Sequence, residues 1–474
     1  MPEKRPLSRS LPWLLLAIVA VGTLLRLPGL RTELWFDELW SLLRVASFRS
    51  PAEVFTNFPS ATNHHLVSLW LWLLGPDRAW WSYRIPSLVA GVGAVLLAAR
   101  LGLRRSPRAA LWCAGILAFS HVMILYSTEA RGYALACFFA LLAWERLETY
   151  FERHSVAALA GYWAACILGA LAHPTFLSAA VGLALWSAAV LMLPERRWRG
   201  ALRFVALQGV PALFAATWYW LELRQVSDAG GVAVSFWDAL RGRAGDLLGV
   251  GDLPALQTAA AVLLGVATLA ALIRLALARD LRWLLYAGAC AIGPAIVAAL
   301  NEQSLRFPRY YLVPAGFLSV LLGTEIARSW DRRHVRPALV LLAVAWVAAN
   351  AWQTWVFARD GRGHYLEAVR YMDERSPGAP FRFASMGDTR AEVLVGYYRR
   401  YLPPHRQPRF VRGRDLVTVA PEWFLNHLVP DEQAMMAPVV QFGPVRYRLL
   451  ASFPSSRLSG FREGVYLRAD LPTP

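Results

Sequence analysis

The sequence predicts a mainly α fold: a polytopic transmembrane helical bundle of about 11 spans with a small extracytoplasmic C-terminal α/β domain. Three observations predict it. The 474 residues are 57% hydrophobic and only 17% charged, with a mean hydropathy of +0.37, whereas soluble domains carry roughly a quarter charged residues. Apolar runs of about 20 residues, the length that crosses a bilayer, recur along the chain. Arginine clusters fall in the gaps between these runs, as they do in the cytoplasmic loops of membrane proteins.

Each element follows from that pattern. The basic N-terminus (Lys4, Arg5, Arg9) precedes an apolar stretch at 11–30, too long for the core of a cleaved signal peptide and read as a first span from cytoplasm to outside. Further runs lie at 84–103, 109–126, 132–149, 156–173, 175–193, 201–221, 257–278, 283–300, 309–327 and 337–357. Between them, clusters such as Arg100, Arg104, Arg105 and Arg108, or Arg328, Arg332, Arg333 and Arg336, mark the inside. The run at 64–75 is too short to span and reads as an interfacial or re-entrant helix. The first extracytoplasmic loop is then 31–83, and residues 1–358 form the membrane module. From 359 to 474 the composition turns soluble, with helical patterns at 365–374 and 391–401 and strand-like ones at 381–385, 446–452 and 464–468.

Composition also excludes classes. Abundant Trp, Phe and Tyr argue against disorder. Cys113, Cys137, Cys166 and Cys290 lie inside apolar runs with no spacing of a disulfide framework or zinc knuckle. The net charge of +17 is explained by membrane topology, so nucleic acid is not an expected partner.

Ionisable groups at membrane depth are costly and usually line a cavity where they have work. Under the predicted topology they collect on the outer side. Asp37 and Glu38 follow the first span, where they either cap an interfacial helix or offer a carboxylate pair to take a proton or hold a cation. Asn63-His64-His65 opens the short helix, and adjacent histidines point in different directions, so one of them serves any single site. Glu129, Arg131 and Tyr133 occupy the turn between the third and fourth spans, as an interfacial ion pair or with Arg131 facing an anion. His173 ends the fifth span. Arg306, Arg309 and Tyr310 precede the tenth, against the inside bias, and arginine's planar fork suits phosphate oxygens. Snorkelling to lipid headgroups is the structural alternative for these arginines.

Taken in order, Phe36-Asp37-Glu38, Asn63-His64-His65-Leu66, Arg84-Ile85-Pro86-Ser87-Leu88, Tyr126-Ser127-Thr128-Glu129-Ala130-Arg131-Gly132-Tyr133 and Arg309-Tyr310-Tyr311 resemble the GT-C superfamily of glycosyltransferases that use polyprenyl-phosphate sugars. The likeness is to the bacterial protein mannosyltransferase and aminoarabinose transferase-like branch, over roughly residues 11–330. Where such proteins often have His-Pro-Pro-Leu, this chain has His64-His65-Leu66-Val67.

The resemblance implies an inverting transfer of a hexose or pentose from a polyprenyl-phosphate carrier, such as undecaprenyl phosphate, to a glycan, lipid or protein acceptor. The reaction would take place at the periplasmic or extracellular face of a multi-pass cell-membrane protein. A phosphate leaving group departs as an anion, so one base and a phosphate clamp suffice. Asp37 is expected as the base with Glu38 assisting, and Glu129, Arg131, Tyr133, Arg306, Arg309, Tyr310, His64 and His65 as the groups at the donor phosphate. Glu38, His64 and His173 are the expected ligands if a divalent metal ion takes part. A transporter would carry similar buried polar groups, and a lipid-head phosphotransferase or hydrolase would use the same arginines with another acceptor.

Overall fold

The computed structural model describes residues 7–193, 197–226, 235–300, 307–376, 380–428 and 436–472. Contacts divide the chain into two compact units. One comprises Met1–Leu27, Phe48–Asp77 and Trp81–Thr354, the other Pro28–Ser47, Arg78–Trp80 and Trp355–Pro474. The segment that carries Asp37 and Glu38 therefore packs with the C-terminal residues, although the sequence places it in a loop of the membrane module.

The predicted apolar runs are helical over most of their length. Among the described residues eight helices are long and apolar enough to cross a membrane, and His65–Leu74, Pro107–Phe119 and Val156–Ala172 are shorter apolar helices. The shortfall from 11 has local causes. The run at 109–126 breaks at Ser120, whose ψ of 123° is extended, giving Pro107–Phe119 and His121–Tyr126. The His121 amide freed by the break donates to Asn350 Oδ1 at 2.8 Å, so the interruption leaves no orphan donor there. Tyr133–Arg153 has ample length but ends in charged turns. The short helix expected at 64–75 is His65–Leu74, as its length required.

Small residues let the helices cross closely. A Cβ on Gly182 would stand 2.5 Å from the Leu285 carbonyl oxygen, and one on Gly288 would stand 2.4 Å from Gly182 Cα. Arg26, fully buried, donates to the carbonyls of Gly22, Ala118 (3.1 Å) and Leu117 (3.2 Å). These are last-turn carbonyls of Leu7–Leu24 and Pro107–Phe119, where the helix dipole favours a cation. Arg26 is thus a shared C-terminal cap, and its charge lies in a helix-end field of opposite sign.

Residues of the basic clusters form ion pairs at one end of this unit. Arg100 reaches Glu145 at 2.7 Å, Arg104 and Arg105 reach Glu148, Arg108 pairs with Asp331 and Arg274 with Glu325. The contacts with Glu145 and Glu148 join the C-terminal ends of Ile85–Leu103 and Tyr133–Arg153. At the opposite end of the same helices, Ser87 Oγ donates to the Arg131 carbonyl at 2.9 Å. A 19-residue helix separates the two ends by roughly 28 Å.

The second unit is built on a six-stranded mixed sheet of β1 (Arg382–Ser385), β2 (Arg409–Phe410), β3 (Trp423–Leu428), β4 (Val439–Phe442), β5 (Val445–Phe453) and β6 (Arg462–Arg468). Its order is β2-β1-β3-β6-β5-β4. β1 runs parallel to both neighbours, and the other pairs are antiparallel. The expected helices are Tyr365–Glu374 and Asp388–Tyr398. One core cluster comprises Ala384, Phe424, Tyr447 and Tyr466 with Val411, Leu416 and Val445. Residues 28–47 are tied to this unit by polar bonds. Arg362 donates to the Gly29 carbonyl and Thr32 Oγ1, Tyr398 Oη to the Leu34 carbonyl at 2.7 Å, and the Leu366 amide to Glu33 Oε2 at 2.9 Å. Phe461 packs on Trp35 and Phe36 at 6.2 and 6.4 Å.

Candidate functional site

Residues from four separate stretches of the first unit, at 62–64, 129–133, 172–175 and 307–310, converge at the end away from the ion-paired basic residues. The helix Tyr133–Arg153 starts at Gly132, and a Cβ there would lie 1.8 Å from the Ala172 carbonyl oxygen and 3.1 Å from His64 Cβ. Only glycine lets the turn approach both partners so closely. This contact brings His64, His173 and Tyr133 together. The His64 and His173 rings are 4.6 Å apart and perpendicular, His173 lies 4.6 Å from Tyr133, and His64 lies 4.9 Å from Tyr133. Tyr310, on the turn Pro308–Tyr311, stacks on His173 at 5.6 Å.

Two guanidiniums share the Tyr133 ring, Arg131 at 5.8 Å and Arg309 at 5.9 Å from its centroid. Arg131 also donates to the Thr62 carbonyl at 3.2 Å and Tyr133 Oη at 3.4 Å. Arg309 lies 4.2 Å from the Phe307 ring. Both arginines are buried, and Glu129, in the same turn as Arg131, is 0% exposed.

The backbone fixes what the histidines offer. The Gly132 amide donates to His64 Nδ1 at 2.5 Å, and the Thr175 amide donates to His173 Nδ1 at 3.1 Å. A nitrogen that accepts carries no proton, so in each neutral ring the proton sits on Nε2. His64 Nε2 is buried and has no partner among the described residues. Burial first, then the guanidiniums of Arg131 and Arg309 and the neighbouring imidazoles, hold His64 well below the usual histidine range. His173 is lowered by burial and the same two arginines. The cluster therefore presents two arginine forks and two neutral imidazole N–H groups, a set of donors suited to an anion with several oxygens.

A metal fits this arrangement poorly. The lone pairs that would bind a cation are committed to backbone amides on Nδ1, and no group of three His, Cys, Asp or Glu side chains that could hold a metal ion occurs among the described residues. Glu38, expected as a further ligand, has another task. Its Oε2 accepts from the Trp35 amide at 3.3 Å and it is 1% exposed, closing the first turn of Phe36–Ala46. Asp37 lies in that same first turn, half-buried.

The adjacent histidines diverge, as alternation along a backbone requires. His65, grouped on sequence with the phosphate-binding residues, does not join the cluster. Its Nε2 meets Glu222 at 2.7 Å, and its ring packs between Phe55 at 5.0 Å and Trp218 at 5.6 Å. Glu222 was not legible as a site residue, being a lone acid at the end of an apolar run. Arg306 lies outside the described residues.

No protein-family model matches the chain, and no curated protein matches it. Among solved structures it is similar to ArnT from Cupriavidus metallidurans bound to undecaprenyl phosphate, at 18% identity and a TM-score of 0.45 over 97% of this chain and 99% of that one. It is also similar to the oligosaccharyltransferase AglB from Archaeoglobus fulgidus in complex with an inhibitory peptide and a dolichol-phosphate, at 13% identity and a TM-score of 0.47 over 87% of this chain and 69% of that one. A third similar structure is the arabinosyltransferase EmbB from Mycobacterium smegmatis, at 14% identity and a TM-score of 0.35, of which this chain covers 45%.

Proposed function

We propose that the chain is a membrane glycosyltransferase that moves a sugar from a polyprenyl-phosphate carrier to an acceptor hydroxyl or amine, with inversion at the anomeric carbon. The observation that carries the reading is the buried convergence of Arg131, Arg309, His64 and His173, four donors of the kind a phosphate needs. In this reading the acceptor attacks the anomeric carbon, the bond from that carbon to the phosphate oxygen breaks, and the lipid phosphate leaves as an anion. The arginines and imidazole N–H groups stabilise the charge that develops on it, the term that usually dominates such catalysis. Asp37 takes the acceptor's proton. The arginine-rich end of the helices faces the cytoplasm, which puts the anion cluster at the extracytoplasmic side of the cell membrane.

The test uses the purified full-length protein in lipid nanodiscs with an undecaprenyl-phosphate sugar. Wild type should form glycosylated product and undecaprenyl phosphate, and Asp37→Asn should abolish turnover while leaving carrier binding within about twofold. A fully active Asp37→Asn variant would remove the base assignment. Free sugar as the sole product would favour a hydrolase instead.

A further inference from the structure

The buried network around Glu222 is not absorbed by the reaction just described. Glu222 ends the helical stretch that begins at Arg197, beyond its last turn, and is 6% exposed. Its carboxylate collects three side chains. His65 Nε2 reaches both oxygens at 2.7 Å, Asn63 Nδ2 donates to Oε1 at 3.1 Å, and Trp218 Nε1 donates to Oε2 at 3.1 Å. Asn63 is further tied to the carbonyls of Val54 at 2.8 Å and Phe58 at 3.0 Å, and accepts from Ser68 Oγ at 2.9 Å. A carboxylate that draws in donors from residues 157 and 159 positions away pins the segment that carries Asn63 and His65.

That segment supplies two groups to the anion cluster. The Thr62 carbonyl accepts from Arg131, and His64 lies between the two residues Glu222 holds, with its Nδ1 on the Gly132 amide. Asn63 and His65 are therefore fixed from one side, and Thr62 and His64 act on the other. We propose that Glu222 is a positioning residue for the anion site, acting through Asn63 and His65 to aim the Arg131 guanidinium and the His64 Nε2–H at the carrier phosphate. The proposal rests on the phosphate-site reading above and assigns Glu222 no contact with substrate.

Binding of undecaprenyl phosphate to the protein in nanodiscs tests it. Glu222→Ala leaves the buried donors of Asn63, His65 and Trp218 without their acceptor. It should weaken carrier binding by roughly tenfold or more, and Glu222→Gln, which keeps an oxygen for one or two of them, should recover a large part of the loss. A thermal control is Gln208→Ala, which breaks the half-buried Tyr162–Gln208–Ser187 link in the same unit. It should lower thermal stability without changing carrier affinity.

The decisive arm is the double variant with Arg131→Ala. If Glu222 acts by aiming Arg131 and His64, removing it in the Arg131→Ala background should cost much less than in wild type, because contacting or jointly acting residues are not additive. Fully additive losses, or a Glu222→Ala protein that binds as wild type does, overturn the proposal while the phosphate-site reading stands. A wild-type protein that binds no undecaprenyl phosphate overturns both.

Discussion

Glu33 sits three residues before the helix Phe36–Ala46 that carries Asp37, and its carboxyl caps the start of Tyr365–Glu374 by accepting from the Leu366 amide. Burial pushes its pKa up to about 7 from an ordinary 4.5. Bonds from the Leu366 and Tyr365 amides pull the other way, and the charges of Glu367 and Glu463 push further up. A folded-state value above the unfolded one means that between pH ~4.5 and ~7 the native protein keeps a proton the opened chain has lost. The part of folded-state stability linked to the Glu33 proton is therefore full below about pH 4.5, falls through the window and is lost above about pH 7, because the buried carboxyl must then ionise in place. The shift of 7 − 4.5, about 2.5 units, corresponds to about 3 kcal/mol at 1.36 kcal/mol per unit. That is a ceiling, because the carboxyl is only partly shielded from water.

The assay is hydrogen exchange of the full-length protein in nanodiscs from pH 5 to 8, corrected for the intrinsic exchange rate. Protection at the Leu366 amide and through residues 34–40 should fall with rising pH by up to roughly a hundredfold. Glu33→Gln, which cannot ionise, should flatten the profile. Protection that stays constant across this range in wild type, or the same slope in Glu33→Gln, would refute the reasoning.

Other consequences follow from the anion cluster. Arg131→Ala and Arg309→Ala each remove charge-assisted donors worth about 1.5–3 kcal/mol, so undecaprenyl phosphate should bind roughly 10- to 100-fold more weakly in a nanodisc titration. Gly132→Ala must displace the Ala172 carbonyl from a Cβ only 1.8 Å away, and should cost about 1–3 kcal/mol of stability together with most turnover, read by thermal unfolding and by product formation. Because His64 and His173 are held well below the usual histidine range, affinity for an undecaprenyl-phosphate sugar, whose phosphodiester does not titrate, should stay level from pH 8 to 5.5. Tightening on acidification in wild type that vanishes in His64→Gln would show that the imidazole gains a proton there.

The helical frame was legible because lipid imposes one strong rule, length with apolarity, and the runs that obeyed it are helical over most of their length. What interrupts a helix was less visible. Ser120 breaks one run because Asn350, far along the chain, satisfies the freed amide, and no local pattern records that partner. Arg26 was hidden inside a run read as simply apolar, since its role as a cap depends on where a second helix ends. In the C-terminal unit β1, β5 and β6 were anticipated, but β3 was not. Its Trp423, Phe424 and Leu425 are buried in succession, so the strand lacks the alternation that marks a half-exposed one. For the site, residue types that are expensive in a membrane pointed to His64, Arg131, His173 and Arg309, and the chain brings them together. Glu222 escaped because a single acid at a helix end has many ordinary uses, and only its three donors give it another.

Neutral histidines are a physical advantage in such a cluster. Two buried guanidiniums near one ring already repel each other, and two imidazolium charges would raise that cost steeply in a low-dielectric setting. Locking each Nδ1 onto a backbone amide supplies N–H donors without further charge. In the proposed reading the site keeps its shape before an anion arrives, and the arginines would attract the anion while the imidazoles add directed hydrogen bonds. A leaving phosphate gains charge as its bond to sugar breaks, so donors fixed in advance favour the late, charged state over the bound ester. That preference, set by the amides of Gly132 and Thr175 as much as by any side chain, is what would make this corner of the bundle a catalyst and not only a place for a lipid head to rest.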